Sequence, residues 1–213
     1  MWSAGPARRV PEAGRPGALR LGFSLAPGMR VGLFGGSFNP AHEGHAHVAQ
    51  TALTRLGLDR VVWLVSPGNP LKEAPTALER RLEGVRDFAR GPSMVVSDAE
   101  ARLGTRYSLD TIRLLKARHP GVRFVWVIGA DSLASFHRWK GWIEIFREVP
   151  IAVVARPGAE TALTSPAARR FAAHRVSAGV LRGAKAPAWS WISAPLNFAS
   201  STALRERQGL RRR

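Results

Sequence analysis

A chain of 213 residues with 45% hydrophobic content supports one well-buried domain rather than two large ones. It has no cysteine, which excludes disulfides and thiolate metal sites, and no apolar run approaches the roughly 20 residues of a membrane span, so a cytoplasmic protein is expected. The formal charge of +17 invites a nucleic-acid reading. It is concentrated at the ends, however: residues 1–30 hold five Arg against Glu12, and residues 205–213 hold five Arg against Glu206. With no aromatic residues interleaved among the basic ones, nucleic acid is not the expected partner.

Residues 1–28 lack hydrophobic periodicity and are rich in Gly, Pro and Arg, which predicts a disordered basic leader with the fold starting at Met29. A first strand is expected at Arg30–Phe34 and a helix at His45–Leu56, then a strand at Val61–Ser66, a helix at Leu78–Arg90 and a strand at Met94–Ser97. Ser108, with Asp110 just behind it, reads as the start signal of a helix over Leu109–Arg118, and His119-Pro120-Gly121 as its stop. A strand at Phe124–Ile128, a helix at Trp142–Glu148 and a strand at Ile151–Val154 follow. The Ala-rich stretch Gly158–Lys185 shows no clear period and receives no assignment. A strand at Trp189–Ser193 and a helix at Ser201–Gln208 close a domain over 29–208, ahead of a basic tail at 209–213. Short β-branched strands alternating with helices predict an α/β fold: a Rossmann-like, doubly wound parallel sheet in a single domain.

The chemistry concentrates between the first strand and the first helix, in Gly32-Leu33-Phe34-Gly35-Gly36-Ser37-Phe38-Asn39-Pro40-Ala41-His42-Glu43-Gly44-His45. Glycines after a buried strand let main-chain N–H groups approach an anion, and the following helix offers its positive N-terminal end; Gly35, Gly36 and Ser37 are therefore candidate phosphate-binding residues. The spacing is neither G-x-G-x-x-G nor that of a P-loop. His42 and His45, three apart, share one face of the helix's first turn, so two donors point at one site. A zinc reading fails because it needs histidines four apart and position 46 is Ala, so no protein metal site is expected. Asp131 follows a strand's C-terminal end, where open sheets bind ligands, although a helix cap is the alternative for an acid there. Lys72 offers a mobile ammonium to phosphate, and Arg205 stands behind the Ser200-Ser201-Thr202 run that opens the last helix.

These residues resemble the nucleotidyltransferases with an H-x-G-H signature, most closely the bacterial nicotinate-nucleotide adenylyltransferases. Five stretches match in order: GGSFNPAHEGH; Ser66-Pro67-Gly68-Asn69-Pro70-Leu71-Lys72; Thr105-Arg106-Tyr107-Ser108 with Asp110-Thr111; Gly129-Ala130-Asp131-Ser132 through Trp139; and Ser200-Ser201-Thr202-Ala203-Leu204-Arg205, where Ala199 replaces the usual isoleucine. The resemblance spans residues 29 to about 207.

It implies a nucleotidyltransferase-type fold and transfer of the adenylyl group of ATP to nicotinate mononucleotide, the two expected small-molecule partners. His45 would hold the α-phosphate and stabilise transition-state charge, with His42 as a second phosphate donor. Arg205 and the N–H groups of Ser201 and Thr202 would cradle the triphosphate, and Asp131 would contact a nucleotide ribose. Trp139 would stack on the pyridine ring, with main-chain N–H groups near Ser108 and Lys140 on the ring's carboxylate. Mg²⁺ is expected with ATP, held by substrate oxygens and water. The rival readings are a sister transferase acting on nicotinamide mononucleotide or phosphopantetheine, and a non-catalytic basic nucleic-acid binder. The tryptophan after Gly-Ala-Asp favours a flat aromatic acceptor.

Overall fold

Runs of valine and isoleucine build the centre of the molecule. In the computed structural model, which describes residues 21–68, 77–156 and 160–193, six strands form one sheet: β1 (Arg30–Gly36), β2 (Arg60–Val65), β3 (Met94–Ser97), β4 (Arg123–Gly129), β5 (Ile151–Val154) and β6 (Trp189–Ile192). Their order is β3-β2-β1-β4-β5-β6, and every neighbouring pair is parallel. Parallel strands need helical crossovers, and these bury both faces of the sheet. Val61 to Val65 accordingly have no measurable exposure. Along β2 the side chains alternate, with Val62 and Leu64 entering one core and Val61, Trp63 and Val65 the other.

The helices are α1 (Glu43–Leu56), α2 (Leu78–Arg86), α3 (Ala99–Leu103), α4 (Ser108–Arg118), α5 (Ala130–Ser135), α6 (Trp142–Glu148), α7 (Pro166–Arg170) and α8 (Ala178–Leu181). α1 and α8 pack on one face through Val48, Ala52, Leu56 and Leu181, and α4 to α7 on the other through Ile112, Leu115, Leu133, Phe146 and Ala168. Gly57 ends α1 in the left-handed conformation, φ 56°, and its N–H reaches back to the carbonyls of Leu53 and Thr54.

Three departures from the expected elements have local causes. α2 stops at Arg86, because the N–H groups of Phe88 and Ala89 both turn back onto the carbonyl of Val85. Ser108 is the first helical residue of α4 rather than its cap; Tyr107 occupies the cap position with no side-chain bond. The unassigned stretch 158–185 contains α7, α8 and the 3₁₀ turns Glu160–Thr164 and Ala172–His174, pieces too short to display a helical period. Ser165 and Ser177 cap α7 and α8 with their hydroxyls.

The expected start at Met29 is late. Leu21 is fully buried, Phe23 and Leu25 pack on the same core, the Arg60 guanidinium lies 6.0 Å from the Phe23 ring, and Gly28 N–H donates to Gly121 O at 2.8 Å. Leu21, Phe23 and Leu25 alternate over only five residues and form no strand, a pattern too short to stand out beside the Gly, Pro and Arg that precede it. Emptying one buried leucine site costs about 2–5 kcal/mol. A chain starting at Met29 is therefore expected to melt roughly 5–10 °C below one starting at Leu21, a comparison calorimetry makes directly. The expected leader over residues 1–20, Lys72, Ser201, Thr202, Arg205 and the tail at 209–213 lie outside the described residues.

Candidate active site

The strand order reverses direction between β1 and β4, and the crevice beyond their C-terminal ends is where a sheet of this order receives a ligand. β1 stays paired with β2 up to Gly36, but with β4 only up to Phe34. The mouth therefore opens beside Gly35 and Gly36. These two glycines end the strand instead of following it, and Gly36 O accepts from Ser66 N–H at 3.0 Å. A Cβ on Gly35 would sit 2.7 Å from the ring of Trp126, a fully buried core residue, so any side chain there would collide with the core. The chain then turns through Ser37 and Phe38 into α1.

His42 occupies the N-cap of α1, and its Nδ1 accepts from Gly44 N–H at 3.0 Å. That bond settles the tautomer of the neutral ring: the proton resides on Nε2, which is left as a donor. Burial, and after it the charge of Arg156, push this imidazole down to about 4 against the opposing pull of Asp131. His42 is thus a neutral donor at physiological pH. His45, in the first turn of α1, lies with its ring centroid 3.8 Å from that of His42 and 5.0 Å from that of Phe38. Phe34, Phe38 and Trp63 stand edge-on or tilted to one another beneath the pair at 5.2–5.3 Å, a rigid floor that limits where the imidazoles can go.

Across the crevice, Asp131 lies in the first turn of α5 with 61% of its side chain exposed, 3.5 Å from Nη1 of Arg156. Gly129, not Asp131, is the cap residue, and no side chain caps that helix, so the alternative reading of this acid as a cap does not hold. Arg156 follows β5 and also lowers His47, second to burial. It was not foreseen. The available signal was a basic residue directly after a buried strand, at the end of the sheet where ligands bind.

Ser108, Lys140 and Trp139 come together at a neighbouring edge. The Lys140 ammonium lies 4.3 Å from the centre of the Tyr107 ring, and a Cβ on Gly141 would touch Leu109, which brings the loop after Trp139 against the start of α4. Trp139 is half-buried, its ring 4.8 Å from that of Phe136 and edge-on to Trp126. Beneath, Thr111 Oγ1 donates to Glu100 Oε1 at 3.3 Å and lies 2.8 Å from Thr105 Oγ1, while Thr105 N–H donates to Glu100 O at 3.0 Å. Burial raises the Glu100 carboxyl to about 7, partly opposed by the Thr111 bond. An acid raised in the fold binds its proton there more tightly than in the unfolded chain, so its contribution is lost as pH rises from about 4.5 to about 7. Glu100→Gln is expected to be more stable than the wild type at pH 8, by up to about 3 kcal/mol, and close to it at pH 5, as melting curves at the two pH values would read.

Among the described residues no three His, Cys, Asp or Glu side chains gather as a metal cage. The donors at the crevice are imidazole and main-chain N–H groups, and the carboxylate present, Asp131, is paired with Arg156. Such a set suits an anionic ligand that carries its own metal.

Among the described residues, the neutral imidazole of His42, with His45 beside it, stands near the switch point of the sheet, a candidate place for an anionic ligand. The profile of the cytidylyltransferase-like family matches residues 33–207. The probable nicotinate-nucleotide adenylyltransferase of a Caulobacter species is 64% identical over 186 residues, 84% of this chain and 98% of that one. Its counterpart in Cereibacter sphaeroides is 56% identical over 83% of this chain and 97% of its own. In fold, the chain is similar to Plasmodium falciparum nicotinic acid mononucleotide adenylyltransferase complexed with NaAD, with a TM-score of 0.64 and 17% identity over 84% of this chain and 83% of that one. The chain belongs to the cytidylyltransferase-like family and, within it, to the nicotinate-nucleotide adenylyltransferases.

Proposed function

We propose that this chain transfers the adenylyl group of ATP to nicotinate mononucleotide in the cytoplasm, giving deamido-NAD and pyrophosphate, a step of NAD biosynthesis. The observation that carries the reading is the His42–His45 pair, ring centroids 3.8 Å apart, at the N-terminus of α1 just beyond the end of β1. The 5′-phosphate of the mononucleotide attacks the α-phosphorus of ATP in line and pyrophosphate leaves, so no group of the protein becomes covalently attached. What the protein supplies is position and donors.

His42 presents Nε2–H to a phosphate oxygen, and being neutral it adds direction without a fixed charge that water would screen. His45, tilted beside it, faces the α-phosphate, where charge builds in the transition state. Asp131 holds a ribose hydroxyl, and Arg156 beside it adds a positive charge near the phosphates. Lys72, Arg205, Ser201 and Thr202 complete the triphosphate cradle in this reading. Mg²⁺ accompanies ATP and offsets phosphate charge. Trp139 stacks on the pyridine, and main-chain N–H groups near Ser108 and Lys140 meet its carboxylate. The test is pyrophosphate release from ATP with nicotinate mononucleotide, nicotinamide mononucleotide or phosphopantetheine as acceptor. Release with the first alone is expected; release only with another acceptor, or with none, overturns the reading.

A further inference from the structure

Arg81 is only 3% exposed. Arginine is seldom buried, because taking its charge out of water is costly unless its donors find acceptors. Here Nη1 donates to Ser37 O at 2.8 Å and to Ser66 O at 2.7 Å, and Nη2 donates to Pro67 O at 3.2 Å. One side chain on α2 thus ties the exit of β1 to the exit of β2. The tie matters because a trans peptide unit is planar, with C=O and N–H on opposite sides: a carbonyl held inward turns the next residue's N–H outward. The bond from Ser66 N–H to Gly36 O sets the plane that carries the N–H of Ser37. Arg81 sets the next plane, which carries the N–H of Phe38. Phe38 has φ 45°, a left-handed conformation that a bulky residue keeps only where its surroundings hold it.

We propose that Arg81 is a positioning residue for polyphosphate binding: it turns the Phe38 N–H group toward the phosphates of ATP and locks the β2 exit beside it. Arg81 itself does not touch the substrate. The role rests on the adenylyltransferase reading above, and it explains why a guanidinium is required, since the single ammonium of lysine cannot hold two loops in a fixed fork.

The experiment uses the full chain with Arg81→Met, Arg81→Lys and Val85→Ala, the last a cavity on the same helix at a fully buried residue. Melting temperature, the Kd for inorganic tripolyphosphate, kcat, and KM for ATP and for nicotinate mononucleotide are measured. Arg81→Met is expected to raise the tripolyphosphate Kd and the KM for ATP at least about tenfold, the worth of one charge-assisted hydrogen bond, while the KM for the mononucleotide stays put. Arg81→Lys recovers part of the loss, and Val85→Ala lowers the melting temperature with both phosphate constants unchanged. A wild-type tripolyphosphate Kd in folded Arg81→Met overturns the proposal, as does a Val85→Ala variant that loses as much phosphate affinity. Should Arg81→Met not fold, a wild-type Kd in Arg81→Lys overturns it in the same way. A wild type that forms no deamido-NAD defeats the functional reading instead, and the tripolyphosphate comparison still judges Arg81.

Discussion

Replacing His45 by alanine is expected to cut kcat by about 10² to 10³ while changing substrate affinity far less. In the proposed reading its ring faces charge that grows on the α-phosphate only as the bond to the incoming oxygen forms. A preorganised donor aimed at developing charge contributes roughly 3–4 kcal/mol, nearly all of it in the transition state. His45 is held for this by the first turn of α1 and by contacts with His42 and Phe38, so removing the ring leaves the turn itself intact. His42→Ala differs, because it also deletes the Nδ1 acceptor that caps Gly44 N–H. It is expected to weaken ATP binding as well as slow turnover. Steady-state and single-turnover rates for the two variants separate these effects, and near wild-type turnover by His45→Ala would remove the H-x-G-H segment from catalysis.

The other large effect concerns which pyridine is accepted. A carboxylate accepts from every N–H aimed at it, whereas a carboxamide turns its own NH₂ toward some of the same donors and leaves them unpaired. Sites built from buried donors can reject such a mismatch by about 10⁴ or more. The start of α4 supplies main-chain N–H groups that no preceding helical turn uses, and the Tyr107–Lys140 contact brings the loop after Trp139 alongside them. A ratio of kcat/KM for nicotinate over nicotinamide mononucleotide of that order is expected. Trp139→Ala should lower both constants without reversing their order, since stacking does not distinguish acid from amide. Equal constants in the wild type would remove the preference for the acid.

Much of this arrangement was legible in residue order, and the parts that were not share a physical cause. Buried parallel strands show as short runs of apolar residues, valine-rich in β2, β3, β4 and β5 and marked by Leu33, Phe34 or tryptophan in β1 and β6, so all six are located to within a residue or two. α3 and α5 span five and six residues, too few to show a face, and so went unassigned. Sequence alone places the glycine pair after the strand, although glycine can extend a strand when its neighbour pairs with it, as β2 does here. Spacing alone implies that the two histidines lie close, as their rings do, but His42 is the extended cap of α1 rather than part of its first turn, and its neutrality depends on burial and on Arg156, more than 100 residues away along the chain. Arg81 carried a signal that was passed over. It falls three residues after Leu78 and four before Val85, on the apolar stripe of α2, where a charged residue calls for an explanation.

The pairing of β1 with β4 also sets an order of events during synthesis. β1 is complete by residue 36, but the strand that covers its second edge is not finished until residue 129. Until then the edge at Arg30–Phe34 is an open row of main-chain donors and acceptors, the kind that recruits other chains. The histidines are made early, yet they have no opposite wall until β4 docks and brings Asp131 with it. Closing that long gap between partners is slow for the same reason that parallel sheets fold slowly. The crevice is therefore a late product of folding, and a ribosome-bound chain that ends before β4 contains the H-x-G-H motif without the wall that faces it.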